Sequence, residues 1–236
     1  MKKFIFRIGE TVQVFSINGT TNKKISGDPK EKIVQTYTFS RKQFEIVRNN
    51  ISGAKTFFNS ADTNCLDCPF NSYGKCYTHK FNQYVGFKSM LRSIIKEFIE
   101  FDSLPEYTTE LKNEIVKYTS GKYIRFGTYG EPSLHPLELI TECTTVAKKW
   151  TGYTHQWQKS EELNKFFMAS THTKEEETKA QAYGYKSFVA TKSAINELVN
   201  CPASKEAGFK STCAKCGLCS GTLGSKSKKS IYILEH

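Results

Sequence analysis

The sequence predicts an α/β protein: a partial or full (β/α) barrel of mostly parallel strands, with an N-terminal β-rich extension and a C-terminal Cys-rich cluster loop. Three observations carry that expectation. Beyond the first third of the chain, short β-branched and aromatic runs alternate with stretches of helical periodicity, the pattern of βα units around a parallel sheet. The N-terminal residues show period-two alternation instead, and two groups of cysteines fall in loops. A length of 236 residues suits one domain. It reads as an extension over 1–55, a barrel-like core over 56–200, and a Cys-rich loop with the last strand over 201–236.

Taken in order, FIFRIGETVQVFSI alternates apolar and polar positions around a turn at Gly9-Glu10, as a hairpin requires. GTTNKKISGDPKEK is a polar connection. After KIVQTYTFS and a short helix at 41–50, KTFFNS reads as a short strand delivering the chain to Cys65. From 84 to 101, Phe87, Met90, Leu91, Ile94, Ile95 and Phe98 recur at helical spacing and predict one core-facing side. A second helix is expected over 105–118, ending before Gly121, followed by the strand YIRFG and the turn-rich TYGEPSLHP. Pro136 opens a helix in which Leu139, Cys143, Val146 and Trp150 share one face. YTHQW, FFMAS and KSFVA are then strands, separated by helical segments at 159–165 and 174–182, and SIYILEH is the last strand. In such folds the chemistry gathers at the C-terminal ends of the strands, where Cys65, Glu131, His155, His172 and Thr191 would lie.

Composition narrows the setting. No stretch approaches the roughly 20 apolar residues needed to cross a bilayer, and Met1-Lys2-Lys3 leads only into FIF, so no membrane association and a cytoplasmic location are expected. In a reducing cytosol, eight cysteines at ligand spacings read as metal-binding thiolates and not as disulfides. The net charge of +11 is concentrated at the ends: residues 1–60 carry 11 Lys/Arg against 4 Asp/Glu, and residues 201–236 carry 6 against 2. Basic ends suit nucleic acid, and equally suit solvated surface or compensation of a polyanionic cluster.

The strongest motif is CPASKEAGFKSTCAKCGLC. Cys201, Cys213, Cys216 and Cys219 supply three thiolates at x2 spacing and a distant fourth followed by Pro202, a donor set for one [4Fe-4S] cluster, with zinc as the alternative. Gly208 and Gly217 relax the loop. A second group, Cys65-x2-Cys68-x7-Cys76 with His79 beyond it, either closes a zinc knuckle or holds a cubane with one iron open to substrate or cofactor. Cys143, on an apolar helical face, reads as a buried thiol, and His135 as a loop or capping residue. His155 and His172, at the ends of expected strands, join the candidate cofactor-binding residues. Gly130-Glu131-Pro132 follows a strand directly. There Glu131 could accept a hydrogen bond from a ligand ammonium while Gly130 permits close approach, or the segment could be an ordinary turn before a helix.

A Cys-rich loop ending in Cys76-Tyr77, then a strand and YGEPSLHP, resembles the radical S-adenosylmethionine superfamily. The spacing here is C-x2-C-x7-C, and Tyr129 stands where that family has a first glycine. The resemblance implies that Cys65, Cys68 and Cys76 ligate a reactive cluster, that Glu131 is the catalytic residue touching the methionyl ammonium of S-adenosylmethionine, and that an unknown substrate or an electron donor is a partner. CLDCP, GKCY, RFGTYGEP, TGYTHQW, MAST and the C-terminal quartet together look like a bacteriophage family called gene product 88, which implies a phage source and a host-cytoplasm setting. The function expected is therefore an iron-sulfur protein, either a radical S-adenosylmethionine-like enzyme with an auxiliary cluster or a nonenzymatic iron-sulfur or zinc protein binding nucleic acid or a protein partner.

Overall fold

The structure is a computed structural model that describes residues 3–17, 25, 32–71, 74, 76, 78–208 and 210–234. Most of the polar connection GTTNKKISGDPKEK lies outside these residues, as do Met1, Lys2, Tyr77, Glu235 and His236. The protein is α/β, with one mixed and one parallel five-stranded sheet.

β1 (Lys3–Ile8) and β2 (Thr11–Ile17) form the expected hairpin, in register from Lys3 opposite Ser16 to Ile8 opposite Thr11. β3 (Ile33–Ser40) pairs antiparallel with β2. Its last residue, Ser40, caps α1 (Arg41–Arg48): the Ser40 hydroxyl accepts from Gln43 N at 3.0 Å and the Gln43 side chain accepts from Ser40 N at 3.2 Å. Such a reciprocal cap satisfies two N–H groups that a helix start otherwise leaves bare.

KTFFNS is a helix and not the expected strand: α2 (Ala54–Asn59) carries Phe57 and Phe58, both fully buried. Adjacent side chains on a strand point to opposite faces, whereas a helical turn in this hydrophobic corner buries both rings in one core with Phe39, Tyr84, Phe87 and Tyr129. The short turn α3 (Asp62–Cys65) follows. α4 (Phe81–Ile95) buries Tyr84, Phe87, Leu91 and Ile94, the face expected from their spacing, and stops short of the expected end at 101. α5 (Thr109–Thr119) starts at Thr108, whose hydroxyl accepts from Leu111 N at 3.2 Å.

β4 (Tyr123–Tyr129) pairs parallel with β3 across a register shift between Gln35 and Tyr37. α6 (Leu137–Val146) buries Leu139, Ile140 and Cys143. Trp150 does not continue that helical face: it sits on β5 (Lys149–Thr151), parallel to β4, with its Nε1 donating to Phe166 O at 2.8 Å. Helix ends here because Ala147 turns extended, and the chain enters the sheet.

Gly152 separates β5 from β6 (Tyr153–Thr154), the first strand of the second sheet. β7 (Met168–Thr171), α7 (Lys174–Ala182) and β8 (Ser187–Thr191) follow. β9 (Val199–Asn200), α8 (Cys213–Cys216), α9 (Gly221–Gly224) and β10 (Ile231–Leu234) complete the described elements. The segment expected as a helix over 159–165 is a 3-10 turn at Glu161–Lys165. β10 inserts between β8 and β9, giving the order β6-β7-β8-β10-β9 with every pairing parallel. No pairing joins the outer strands β1 and β9 among the described residues, so the sheets are open.

Alternation sorts the second sheet into two faces. Ala169 packs with Ala180 of α7 in the core shared with β1, β2 and β4, while Tyr153, Met168, Phe188, Ile231 and Ile233 pack with Cys201, Cys213 and Cys219. The C-terminal loop thus covers one sheet face in place of a helix. No helix among the described residues is long and apolar enough to cross a membrane.

Gly152 is required by close packing. A Cβ there would stand 2.5 Å from Phe167 Cδ1 and 3.2 Å from Phe126 Cβ, and both rings are buried in the core. Gly152→Ala should therefore cost about 1–3 kcal/mol, the range for overpacking a rigid site. Urea unfolding measures it, and an unchanged midpoint would show that the rings give way.

Candidate metal centres

The first cysteine group is assembled from the ends of β3 and β4. Asn64, fully buried, donates from Nδ2 to Thr38 O at 2.8 Å, and its own carbonyl accepts from Glu131 N at 2.7 Å. One residue therefore ties the cysteine loop to both strands. Gly130, at φ +80, lets the backbone turn between Tyr129 and Glu131; a Cβ there would stand 2.8 Å from Thr38 Cβ and Thr38 O and 3.1 Å from Asn64 O. The glycine thus serves packing of the β4 turn onto this loop, and the space beside it is filled by protein and is not open to a ligand.

Cys65, at the end of α3, has Cys68, Cys76 and Glu131 as its charged neighbours. Burial first, and then those neighbours, push the Cys65 thiol well above its ordinary range; burial likewise pushes Cys68 up to about 11. Cys76 Sγ lies 3.1 Å from Thr78 Oγ1. His79 donates its backbone N–H to Cys76 O at 2.9 Å, and its buried ring stacks on Phe58 at 4.2 Å, which places it against the aromatic core.

Asp67 latches this loop to the far side of the site. Its carboxylate accepts from the Gln156 side chain and from Lys159 Nζ, the latter at 2.6 Å, and these bonds hold it down to about 2. Phe70 leans its ring on His172 at 4.1 Å, and the His172 and His155 rings stack at 5.9 Å. Cys65, Cys68, Glu131, His155 and His172 therefore meet at the C-terminal ends of β3, β4, β6 and β7. Thr191 ends β8, with its hydroxyl accepting from Ser193 N at 3.5 Å.

Glu131 is buried, and its carboxylate is already engaged. Oε1 accepts from Ser133 N at 3.2 Å, Oε2 accepts from His155 N at 3.0 Å, and the Thr154 hydroxyl donates as well. Burial raises its pKa and these donors oppose the rise. His155 Nδ1 lies 3.9 Å from Oε2, but burial lowers His155 to about 4, so the ring is neutral near pH 7 and the contact is not an ion pair. His135 is buried between Phe15 and Phe126 with neither ring nitrogen partnered, and burial lowers it to about 3. It belongs to the core. Cys143 is also core, pushed up to about 12 by burial.

The second group is built on β9, α8 and the bend at Gly152. Cys201 follows β9 and donates its N–H to Tyr232 O at 2.9 Å; Thr212 caps α8 by accepting from Lys215 N at 3.3 Å, which sets Cys213 and Cys216 one helical turn apart. Cys219 O accepts from Gly152 N at 3.0 Å, and Lys149 Nζ donates to Lys215 O at 2.6 Å. All four cysteines line one small cavity, partly open to solvent, together with Thr151 and Tyr153. Neither imidazole nor carboxylate enters this lining, and all eight cysteines of the chain are free thiols. Among the described residues, no three His, Cys, Asp or Glu side chains already stand in a metal-holding arrangement.

An all-sulfur donor set fits an iron-sulfur cluster or zinc and disfavours hard cations. Comparison with protein-family models, curated proteins and solved structures found no match to this chain. The sequence reading overlooked Asn64, Asp67, Tyr153 and Gln156, whose roles depend on partners far along the chain. Only their position beside Cys65, Cys68 and His155 was a signal.

Replacing Glu131 by Gln should leave either Ser133 N or His155 N facing an amide NH2, at a cost of about 1–3 kcal/mol for a buried unsatisfied donor. Urea unfolding and amide exchange at His155 check this: faster exchange is expected, and unchanged stability with unchanged exchange would contradict the clamp.

Proposed function

We propose that this chain is an iron-sulfur protein in which Cys201, Cys213, Cys216 and Cys219 hold one fully ligated [4Fe-4S] cluster, and in which the loop of Cys65, Cys68 and Cys76 is the candidate reactive centre. The single observation that carries the reading is the convergence of all four C-terminal thiols on one cavity lined without other ligand types. When bound, such a cluster supplies one-electron transfer. Its protein frame is the parallel run from β3 to β10, read here as a partial (β/α) barrel, and its setting is the host cytoplasm.

The chain's own residues divide the work. Asn64 and Glu131 fix the first loop against the strand ends, and Asp67 ties its rim to Gln156 and Lys159. Phe70 and the His155–His172 stack form an aromatic wall at the same edge. With both carboxylate oxygens already accepting from protein donors, Glu131 does not fit the role of anchor for the ammonium of S-adenosylmethionine. Glu131 is a positioning residue in this reading.

A specific observation supports a second reading, in which the metal only holds the loop. Lys205, Lys210, Lys215, Lys226, Lys228 and Lys229 are all exposed on the C-terminal segment, a surface suited to nucleic acid phosphates. Anaerobic reconstitution separates the two. The iron-sulfur reading expects about four iron and four sulfide per chain at the quartet, with the characteristic paramagnetic signal on reduction, both lost in Cys219→Ser. Zinc in the purified protein, with no iron or sulfide taken up, would overturn it, and a salt-sensitive gel shift would then favour the second reading.

A further inference from the structure

We infer that the outward face of α4 is a binding surface for single-stranded nucleic acid, with Phe81 stacking on a base and Lys88, Arg92 and Lys96 contacting phosphates. This surface uses no cysteine and stands whether or not either cysteine group is loaded with metal.

The helix is two-sided. Tyr84, Phe87, Leu91 and Ile94 are buried against the core, which turns Phe81, Val85, Lys88, Arg92 and Lys96 outward in one line, since residues three and four apart are neighbours on a helix. Lys96 continues the line because its backbone is still helical, at φ −63 and ψ −29. Phe81 is 73% exposed and Val85 49%. The Phe81 ring rests against buried Tyr84 with centroids 6.3 Å apart, and Lys88 Nζ lies 3.3 Å from the Tyr84 hydroxyl. Tyr84 thus props an aromatic ring and an ammonium side by side at the surface.

Charge on this face has one sign. From Lys80 to Lys96 the sequence holds four Lys/Arg and no Asp or Glu, and the first carboxylate, Glu97, comes past the helix end. Lys80, Arg92 and Lys96 are exposed, and among the described residues their side chains form no salt bridge. Other carboxylates around the helix are already paired, Glu45 and Glu100 with Arg48 and Asp102 with Arg41. Lys3 of β1 brings a further ammonium to the helix, donating to Ser93 Oγ at 2.7 Å. The complement of such a face is a polyanion.

Two apolar residues are too few for the desolvated centre of a protein interface, which covers about 800 Å² on each partner. One ring is enough to stack a base. Steps of four residues set Lys88, Arg92 and Lys96 about 6 Å apart along the helix axis. The cations therefore run in a row beyond the ring, as a strand that carries its phosphates in series requires.

Fluorescence anisotropy of the full chain with a labelled single-stranded oligothymidine, recorded over a range of salt, tests this. Wild type should bind, more weakly as salt rises. Phe81→Ala should weaken binding about tenfold without changing the salt slope, the loss of one stacked base. Arg92→Ala combined with Lys96→Ala should reduce the magnitude of the slope of log affinity against log salt by about 1.4, two phosphate contacts at about 0.7 each. All three side chains are exposed, so the fold should survive their removal. No binding by wild type would overturn the proposal. So would binding untouched by the α4 variants and lost in Lys226→Ala with Lys228→Ala, which would move the site to the C-terminal segment. Polyglutamate bound as tightly as the oligonucleotide would overturn it in favour of an acidic protein partner. None of these readouts requires iron, so the outcome is separate from that of the metal reading.

Discussion

The bend at Gly152 is the constraint on which the rest of the molecule depends. There the chain leaves the mixed sheet and enters the parallel one, and the glycine's two backbone groups are both committed: N–H to Cys219 O and C=O to Met168 N. A side chain is excluded by Phe167 and Phe126, so the shared core presses directly on the backbone that holds the quartet. The packing that joins the two sheets therefore also positions the C-terminal cysteines.

On either side of that bend, consecutive residues serve different sites. Tyr153 lines the cavity of the quartet, while Glu131, held by the Thr154 hydroxyl, accepts from the backbone N–H of His155. The pleat of a strand sends neighbouring side chains to opposite faces, so the two cysteine groups can share one short strand without sharing a cavity. The first group sits at the strand ends, where loops meet. The second covers a sheet face that would otherwise need an apolar helix, and its cysteines pack with Met168 and Ile231 as small hydrophobic residues do.

Much of this was legible in the residues. Period-two alternation in FIFRIGETVQVFSI marked the hairpin, although both of its faces are packed, Phe4, Phe6 and Phe15 in one core and Ile5, Val12 and Val14 in the other; helical spacing identified the buried side of α4, because one face of that helix meets the core and the other does not. What escaped had tertiary causes. Phe57 and Phe58 have high strand propensity, yet a helical turn buries both rings where a strand would expose one. Trp150 matched the helical period of α6 by coincidence of spacing and belongs to a strand. The cysteines were visible from their spacing, and Glu131, His155 and His172 from their positions after strands. Asn64 and Lys186 were not, since a polar side chain carries no mark of the distant carbonyl it will meet.

The central claim is that the four C-terminal cysteines enclose one iron-sulfur centre beside the Gly152 bend. Anomalous diffraction from anaerobically grown crystals, recorded on both sides of the iron and zinc absorption edges, tests it most directly. The account predicts an iron peak enclosed by Cys201, Cys213, Cys216 and Cys219. A zinc peak at that position, or no anomalous scatterer among the four sulfurs of reconstituted protein, would contradict it.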